Sequence, residues 1–315
     1  MFGKMKFQVI IVLGVILYGQ GMDSSEIKIR LYKTGEYPRY QEVYINATDE
    51  LFNSPWYNIS NPSVIFIHGL AESCNSYSAI NSTSALTTLD YNVFCLDWGA
   101  LAYYDFGINL PNATFYPVAA QNTIIVGNAF TEVIEAEIES GNIDYAQLNC
   151  VGFSLGAHIC GYLGNLEENI SVIVGLEPAG PLFTTDISPL RRLTNKDANT
   201  VHVLHTDRGG LGTLRDDGDA NFYINTGSRL QPGCTNLFDR LCSHYRSYVV
   251  FKEAILNGTA GVAVRCNSYL QFTLQTCGNV YYFLRFPVDT NAEGKLYLST
   301  NSNQPYLRGN RGTYP

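Results

Sequence analysis

Short apolar runs alternate with helical patterns through the middle of the chain, and this alternation constrains the fold more than any other feature. Five runs have the character of strands buried on both faces: Val64–Ile67, Val93–Leu96, Leu148–Gly152, Val172–Leu176 and Val201–His205. Strands that alternate with helices pair in parallel, because each helix carries the chain back across the sheet. The sequence therefore predicts an α/β fold with a mostly parallel central sheet and helices on both faces.

Apolar residues at helical spacing predict helices between and after these strands. The longest predicted helix covers Tyr116–Ser140, and further helices are predicted at Leu155–Leu166 and Tyr245–Leu256. The region Leu270–Leu298 is rich in strand-forming residues but has no clear period. No repeat and no long linker divides the chain, so we expect residues 22–315 to form a single domain.

The first residues have the order of a secretory signal. Lys4 and Lys6 precede the apolar run Phe7–Tyr18, and the small residues of Gly19-Gln20-Gly21 follow it. The run has 12 residues, whereas a membrane-spanning helix needs about 20, which disfavours the alternative of an uncleaved anchor. We expect a signal peptide over residues 1–21, no transmembrane segment, and a secreted, extracellular protein.

Cysteines and glycosylation motifs agree with that destination. The chain has eight cysteines, and none lies in the expected signal peptide. An even number in a secreted chain indicates disulfides, but the count alone does not assign the pairs. Six Asn-x-Ser/Thr sequons are candidates for glycosylation: Asn46, Asn58, Asn81, Asn112, Asn169 and Asn257.

Charge and ligand spacing exclude some functions. The formal net charge of −8 at pH 7 disfavours nucleic acid as a partner, because binding to phosphates depends on clustered Lys and Arg. The cysteines lack Cys-x2-Cys spacing and the five histidines form no close cluster, so we expect neither a metal nor another cofactor. The sequence does not indicate an oligomeric state.

The pentapeptide Gly152-Phe153-Ser154-Leu155-Gly156 follows a predicted strand and opens a predicted helix. A nucleophile elbow needs this setting, since small residues let strand and helix approach around a tight turn that exposes the serine hydroxyl. Ser154 is therefore the predicted nucleophile. A glycine-rich turn with an incidental serine is the alternative, and the strand–turn–helix setting disfavours it.

A serine nucleophile needs a histidine to take its proton, and in the usual chain order of α/β hydrolases this base follows the acid. His244 fits this order and lies in a segment, Cys242-Ser243-His244, that we expect to be a loop before a helix. The other four histidines precede the serine, lie in the helix after it, or lie within a predicted strand: His68, His158, His202 and His205.

Two carboxylates compete for the role of the acid that orients the histidine. Glu177 directly follows the strand Val172–Leu176, and Asp207 follows the strand Val201–His205. Both lie between the serine and His244 in the chain, so spacing does not choose between them.

The site also needs donors for the negative charge that develops on the ester oxygen. The backbone amide of Leu155, directly after the nucleophile, is one candidate donor. The amide of Leu70, in the His68-Gly69-Leu70 turn after a predicted strand, is the other. An ordinary turn at the end of that strand is the alternative.

Further motifs accompany the elbow between about Val64 and His244. They are Phe66-Ile67-His68-Gly69, Leu96-Asp97-Trp98, Ala120-Gln121-Asn122-Thr123, Val151-Gly152-Phe153-Ser154-Leu155-Gly156-Ala157-His158, His205-Thr206-Asp207 and Gln231-Pro232-Gly233-Cys234. With these motifs the chain resembles the animal pancreatic-lipase family, above all its short insect members, which include the venom-type phospholipases A1.

This resemblance implies an α/β-hydrolase fold, ester hydrolysis without a metal, and the triad Ser154, Glu177 and His244. One position departs from the family pattern, which reads Gly-Leu-Asp-Pro where this chain has Gly175-Leu176-Glu177-Pro178. Glutamate is one methylene longer than aspartate, and a misplacement of about 1 Å lowers a rate by about 100-fold unless the surroundings compensate. Asp207 stays the alternative acid.

The resemblance also implies disulfides and a lid. Cys234–Cys242 matches the pair that brackets the family's lid, Cys266–Cys277 matches another family pair by spacing, and Cys74–Cys95 and Cys150–Cys160 are the pairs that remain. The bracketed lid has only seven residues: Thr235, Asn236, Leu237, Phe238, Asp239, Arg240 and Leu241. In this family, short lids are typical of phospholipases A1, whereas long lids are typical of triglyceride lipases.

We therefore expect a secreted hydrolase of lipid carboxylic esters that acts at a membrane or lipid interface and leans towards phospholipase A1 activity. The first alternative is a triacylglycerol lipase or a general esterase. The alternative from another class is a catalytically impaired lipid-binding protein, similar to the lipase-like yolk proteins of insects. Glu177 is the one feature that favours this last alternative.

Overall fold

The computed structural model describes residues 24–103, 112–185, 188, 190–235 and 240–315. The expected signal peptide over residues 1–21 lies outside the described residues. The lid residues Asn236, Leu237, Phe238 and Asp239 also lie outside them, as does the side chain of Arg240.

One sheet contains all eleven described strands. They are β1 (Lys28–Tyr32), β2 (Tyr40–Tyr44), β3 (Ser63–Ile67), β4 (Asn92–Asp97), β5 (Leu148–Phe153), β6 (Val172–Leu176), β7 (Thr200–His205), β8 (Ala220–Ile224), β9 (Gly261–Arg265), β10 (Tyr281–Leu284) and β11 (Gly294–Leu298). Their spatial order is β10-β9-β11-β8-β7-β6-β5-β3-β4-β1-β2.

Neighbouring strands run parallel from β4 through β3, β5, β6, β7 and β8 to β11. The hairpin β1–β2 and the pair β9–β10 extend the two ends of the sheet with antiparallel strands. The expected mostly parallel α/β sheet is confirmed. Strands β3 to β7 are the five apolar runs of the sequence, each displaced by at most one residue at either end.

Helices connect the strands. They are α1 (Asp49–Phe52), α2 (Tyr77–Leu86), α3 (Gly99–Ala102), α4 (Asn112–Glu139), α5 (Leu155–Gly161), α6 (Arg240–Leu256) and α7 (Tyr269–Thr273). Short 3-10 turns lie at Ser24–Glu26, Ile45–Ala47, Tyr145–Gln147, Tyr162–Asn165 and Gly309–Thr313. Among the described helices, none has both the length and the apolar character that crossing a bilayer requires.

All three expected helices differ from the structure in their bounds, and the one expected over Tyr116–Ser140 runs over Asn112–Glu139. The segment expected over Leu155–Leu166 changes after Gly161 from an α-helix to a 3-10 turn. The helix expected from Tyr245 begins five residues earlier, at Arg240, so the prediction that His244 lies in a loop is wrong. Leu241, His244 and Tyr248 are spaced as one helical face, but the polar residues between them interrupt the apolar pattern that sequence analysis depends on.

Alternate residues of each central strand face different cores, as the period of a strand requires. On β3, Ile65 and Ile67 face the core beneath α4, whereas Val64 and Phe66 face the core beneath α2 and α6. Because both faces are covered, these strands are continuously apolar. The parallel arrangement also places the carboxyl ends of β3 to β8 at one edge of the sheet, which we call the carboxyl edge.

Candidate active site

Ser154 stands at the carboxyl end of β5, directly before α5, in a strained turn. Its backbone has φ 55° and ψ −116°, a conformation that costs a non-glycine residue of order 1–3 kcal/mol. Backbone hydrogen bonds hold it there: the Ser154 amide donates to Leu176 O at 3.1 Å, and Ser154 O accepts from Ala179 N at 3.2 Å. The serine is thus fixed at the carboxyl edge against β6.

The two glycines of the pentapeptide are required by close packing. A Cβ on Gly152 would lie 2.4 Å from the Cα of Ala157, and a Cβ on Gly156 would lie 2.2 Å from the carbonyl oxygen of Ile67. Strand β5, helix α5 and the end of β3 therefore approach as closely as they do only because these positions lack side chains. This is the strand–turn–helix setting that the sequence predicts.

His244 lies in the first turns of α6 and packs over the residue that precedes the serine. Its ring centroid is 4.8 Å from that of Phe153, and Tyr248, one turn further along α6, packs on the same ring at 5.2 Å. The imidazole is buried, and its Nδ1 has no hydrogen-bond partner among the described residues. Burial lowers the pKa of His244 to about 4, although the Asp207 carboxylate opposes this shift.

Glu177 follows β6 and is fully buried at the carboxyl edge. Its Oε2 accepts hydrogen bonds from the Thr206 hydroxyl at 2.7 Å, from the Asp207 amide at 2.6 Å and from the Thr206 amide. Its Oε1 is buried and has no hydrogen-bond partner among the described residues. Burial raises the pKa of Glu177 to about 8, and the hydrogen bonds from Thr206 and Asp207 oppose that rise.

Asp207, the alternative acid, is engaged elsewhere. Its Oδ1 accepts from Arg229 Nε at 2.6 Å, and its Oδ2 accepts from Arg229 Nη2 at 2.7 Å and from the Leu211 amide at 2.8 Å. This two-point ion pair occupies both carboxylate oxygens, since planar Arg and carboxylate groups match in this geometry. Glu177 Oε1 and His244 Nδ1, in contrast, have no hydrogen-bond partner among the residues that the structure describes.

The turn that carries Leu70 lies against the nucleophile. A Cβ on Gly69 would be 3.1 Å from the Cβ of Ser154, so the end of β3 passes directly beside the serine. Leu155, the other expected donor, is the first residue of α5, where the amides of a helix have no acceptor within the helix. The turn before Leu70 and the start of α5 at Leu155 therefore both adjoin Ser154.

Sequence analysis missed Glu72, which supports this turn. Its Oε2 accepts from the Gly69 amide and from the Ser78 hydroxyl, both at 2.8 Å. Burial raises the pKa of Glu72, and the electrostatic interaction with His68 and the hydrogen bonds from Gly69 and Ser78 oppose the rise. An acidic residue four positions after His68 was the only available signal, and such spacing has no specific meaning without the fold.

The segment before the lid is tied to the sheet. The side-chain amide of Gln231 donates to Thr206 O at 3.0 Å and to Ile224 O at 2.9 Å, while its backbone amide donates to Ser243 Oγ at 3.1 Å. Thr235 and Leu241, at the two ends of the seven-residue lid, are exposed.

Four disulfides join Cys74 to Cys95, Cys150 to Cys160, Cys234 to Cys242 and Cys266 to Cys277, and these are the expected pairs. The third closes the base of the lid. No group of three or more His, Cys, Asp or Glu residues that could hold a metal occurs within the described ranges.

The sequons differ in their accessibility. Asn81 is half-buried, and its side chain donates to Tyr77 O at 2.8 Å and accepts from Lys252 at 3.3 Å. The side chain of Asn112 lies outside the described residues. Four asparagines are exposed: Asn46, Asn58, Asn169 and Asn257.

Comparison with known proteins identifies relatives of this arrangement. The family model described as Lipase matches residues 12–306. A phospholipase A1 of Vespula vulgaris is 34% identical over 226 residues, which cover 69% of this chain and 66% of that protein. A phospholipase A1 of Vespa crabro is 32% identical over 260 residues, which cover 80% of this chain and 84% of that protein.

Solved structures are more distant. An α/β serine hydrolase without lid from Xanthomonas campestris matches with a TM-score of 0.34 and 14% identity, covering 65% of this chain and 84% of that one. The fold assignment therefore depends on the order and direction of the strands described above. The match to the family model and the relatives at 34% and 32% identity show that the chain belongs to the lipase family, and therefore to the carboxylic ester hydrolases.

Proposed function

We propose that this chain is a secreted hydrolase of lipid esters with Ser154 as nucleophile, His244 as base and Glu177 as acid. The observation that supports the triad most is that two buried atoms, Glu177 Oε1 and His244 Nδ1, have no hydrogen-bond partner in the described part of the chain. Each unsatisfied buried polar atom costs about 1–3 kcal/mol, so a hydrogen bond between these two would remove both costs. Asp207 is unsuited to this role because Arg229 occupies its carboxylate.

The proposed reaction has two steps. In the first, His244 takes the proton of the Ser154 hydroxyl while the serine oxygen attacks the ester carbonyl, and the amides of Leu70 and Leu155 stabilise the resulting oxyanion. The intermediate collapses, His244 returns the proton to the leaving alcohol, and the acyl group stays on the serine. In the second, water attacks the acyl-enzyme by the same route and the fatty acid leaves.

The environments of the base and the acid favour different stages of this cycle. With its pKa lowered to about 4 by burial, His244 is neutral at physiological pH and can accept the serine proton. Once it is charged, an ionised Glu177 stabilises it and fixes its tautomer. Since burial raises the pKa of Glu177 to about 8, the acid ionises only near that pH in the free enzyme.

Phospholipid is the proposed substrate class. Relatives named phospholipase A1 are 31–36% identical to this chain, and the lid between Cys234 and Cys242 has only seven residues. A short lid covers little apolar surface, so a polar headgroup can lie near Ser154. Triacylglycerol lipase activity is the alternative.

The carboxyl edge also carries exposed apolar side chains suited to a lipid surface. Five large ones lie on segments that follow parallel strands, one at the start of α2 and four on loops: Tyr77, Tyr103, Leu182, Leu214 and Leu230. The strands that they follow end at the same edge as β5, and burying these side chains in a bilayer would gain hydrophobic free energy. We propose that this edge contacts the membrane or lipid particle that holds the substrate.

Secretion is proposed from the N-terminal sequence and is supported by the four disulfides, which persist in oxidising compartments. In that setting the exposed sequons are available for glycosylation.

Hydrolysis of phosphatidylcholine with different acyl chains at its two positions, compared with hydrolysis of triolein, tests the function. We expect release of the sn-1 fatty acid in preference to attack on triolein. Ser154→Ala should lower turnover by a factor on the order of 10⁶, whereas Ser140→Ala, an exposed serine at the end of α4, should not change it. Faster hydrolysis of triolein would instead indicate a triacylglycerol lipase. No hydrolysis together with no fluorophosphonate labelling of folded protein would indicate the lipid-binding alternative.

A further inference from the structure

Gly212 lies directly against the side chain of Glu177. A Cβ at this position would be 1.5 Å from Glu177 Oε1, 2.5 Å from its Cδ and 3.1 Å from its Cγ. These are the three nearest heavy atoms, and all belong to the same glutamate. The space that a methyl group would fill at position 212 is thus occupied by the end of the Glu177 side chain.

The backbone does not explain the glycine. Gly209, in the same turn, has φ +75°, which favours glycine, whereas the φ of Gly212 lies outside the left-handed region and suits any residue. Gly210 is explained by a different contact, because a Cβ there would lie 2.3 Å from Arg229 Nη2. At position 212 the three nearest atoms that a Cβ would meet all belong to the side chain of Glu177, so that side chain is the first obstacle to a larger residue.

The turn cannot withdraw from Glu177 to relieve such a clash. The Thr213 amide donates to Pro178 O at 2.8 Å, and the Gly180 amide donates to Leu211 O at 2.8 Å. These two bonds fasten the turn around Gly212 to the segment that begins at Glu177. A methyl group at 212 would therefore displace the carboxylate rather than the backbone.

We propose that Gly212 is a positioning residue that accommodates glutamate as the triad acid. The missing side chain at 212 leaves the space that Glu177 Oε1 occupies while Oε2 stays bound to Thr206 and Asp207, so the longer acid can be held in place without a clash. This inference rests on the proposed role of Glu177. It also predicts that position 212 tolerates alanine when position 177 is aspartate, because the two changes exchange one carbon between neighbouring side chains.

A double-mutant cycle on the full chain tests this compensation. We expect Gly212→Ala alone to lower kcat by about 100-fold with KM unchanged, since the acid is misplaced by about 1 Å. Glu177→Asp alone should lower kcat by a similar factor. In the Glu177→Asp background, adding Gly212→Ala should change kcat by less than about threefold, whereas independent effects would multiply.

Folding is checked by thermal unfolding of each variant. Gly278→Ala is the matched control, because a Cβ at that position meets no atom within 4 Å, and it should leave both stability and kcat unchanged. If Gly212→Ala alone does not fold, the comparison of Glu177→Asp with the double variant still decides. Equal damage by Gly212→Ala in both backgrounds, or none in either, would overturn the inference. Failure of the proposed function is distinguishable, because the unmodified chain would then neither hydrolyse ester nor take a fluorophosphonate label.

Discussion

The nucleophile elbow and the acid lie on the neighbouring strands β5 and β6, but they are fitted to the fold in different ways. The elbow depends on Gly152 and Gly156, which stand two residues to either side of Ser154 and form a pattern that can be read in the sequence. Glu177 depends on Thr206, 29 residues further along, and on Gly212 in the turn beyond it. A motif within five residues can be recognised in the sequence. A fit between side chains on two different strands can be recognised only in the folded structure.

Among the variants that test this difference, removal of the acid should have the largest effect on kcat. Glu177→Ala should lower kcat by a factor on the order of 10⁴, as loss of a triad acid does, with little change in KM. Asp207→Ala should instead destabilise the fold, because breaking a buried ion pair costs about 3–5 kcal/mol. Steady-state kinetics on a short-chain soluble ester and thermal unfolding separate the two effects.

An exposed ion pair away from the site provides the control. Glu293 pairs with Arg265 at 2.6 Å with both side chains exposed, and Glu293→Ala should change neither kcat nor, by more than about 1 kcal/mol, the stability. If Glu177→Ala keeps its turnover while folded Asp207→Ala loses it, Asp207 is the acid. The nucleophile and the acid would then both be predictable from their positions at the ends of strands, and the difference between them described above would disappear.

Much of the fold follows from local pattern. Strands β3 to β7 are apolar on both faces, so continuous runs such as Val64–Ile67 predict them. The antiparallel strands β1 and β2 were not predicted, because polar residues interrupt their short segments at the edge of the sheet. The start of α6 was missed for a related reason, since its first turn combines the base of the lid with buried His244.

The site was predictable where chain order fixes it. Ser154, Glu177 and His244 follow from the elbow, the strand ends and the family resemblance. Two supporting residues do not: Glu72 acts through a hydrogen bond to the Gly69 amide, and Gly212 acts through the absence of a side chain. Neither property has a sequence signature, because each depends on which elements become neighbours in the folded protein.

The pH dependence of the reaction tests a difference between the two partners of Ser154: His244 is neutral at physiological pH, whereas Glu177 ionises only at higher pH. In the free enzyme His244 is neutral above pH 4, whereas Glu177 carries its charge only as the pH rises towards about 8. The value of kcat/KM reports the free enzyme. We therefore expect it to rise by about tenfold per pH unit up to about pH 8 and then to level off.

Glu177→Gln tests whether the ionisation of Glu177 causes this rise of kcat/KM with pH, since an amide cannot ionise. The variant should have low activity that does not vary with pH between 6 and 9, whereas Glu293→Gln, at an exposed glutamate, should keep the profile of the unmodified chain. Wild-type kcat/KM that is constant over this range would show that the ionisation of Glu177 does not limit the reaction.

The smallest expected effect concerns the carboxyl edge as a whole, compared with the far end of the sheet. Leu182 and Leu214 are exposed at the carboxyl edge, and Leu270 and Leu274 are exposed on the segment of α7 between β9 and β10. If lipid contacts only the first pair, Leu182→Ser/Leu214→Ser should lower hydrolysis of phospholipid vesicles by about tenfold, which corresponds to about 1.4 kcal/mol of lost burial. Hydrolysis of a soluble ester should not change, because neither leucine belongs to the proposed triad. Leu270→Ser/Leu274→Ser removes as much exposed apolar surface and should affect neither substrate, so an equal loss on vesicles from both double variants would mean that the carboxyl edge has no special role in lipid contact.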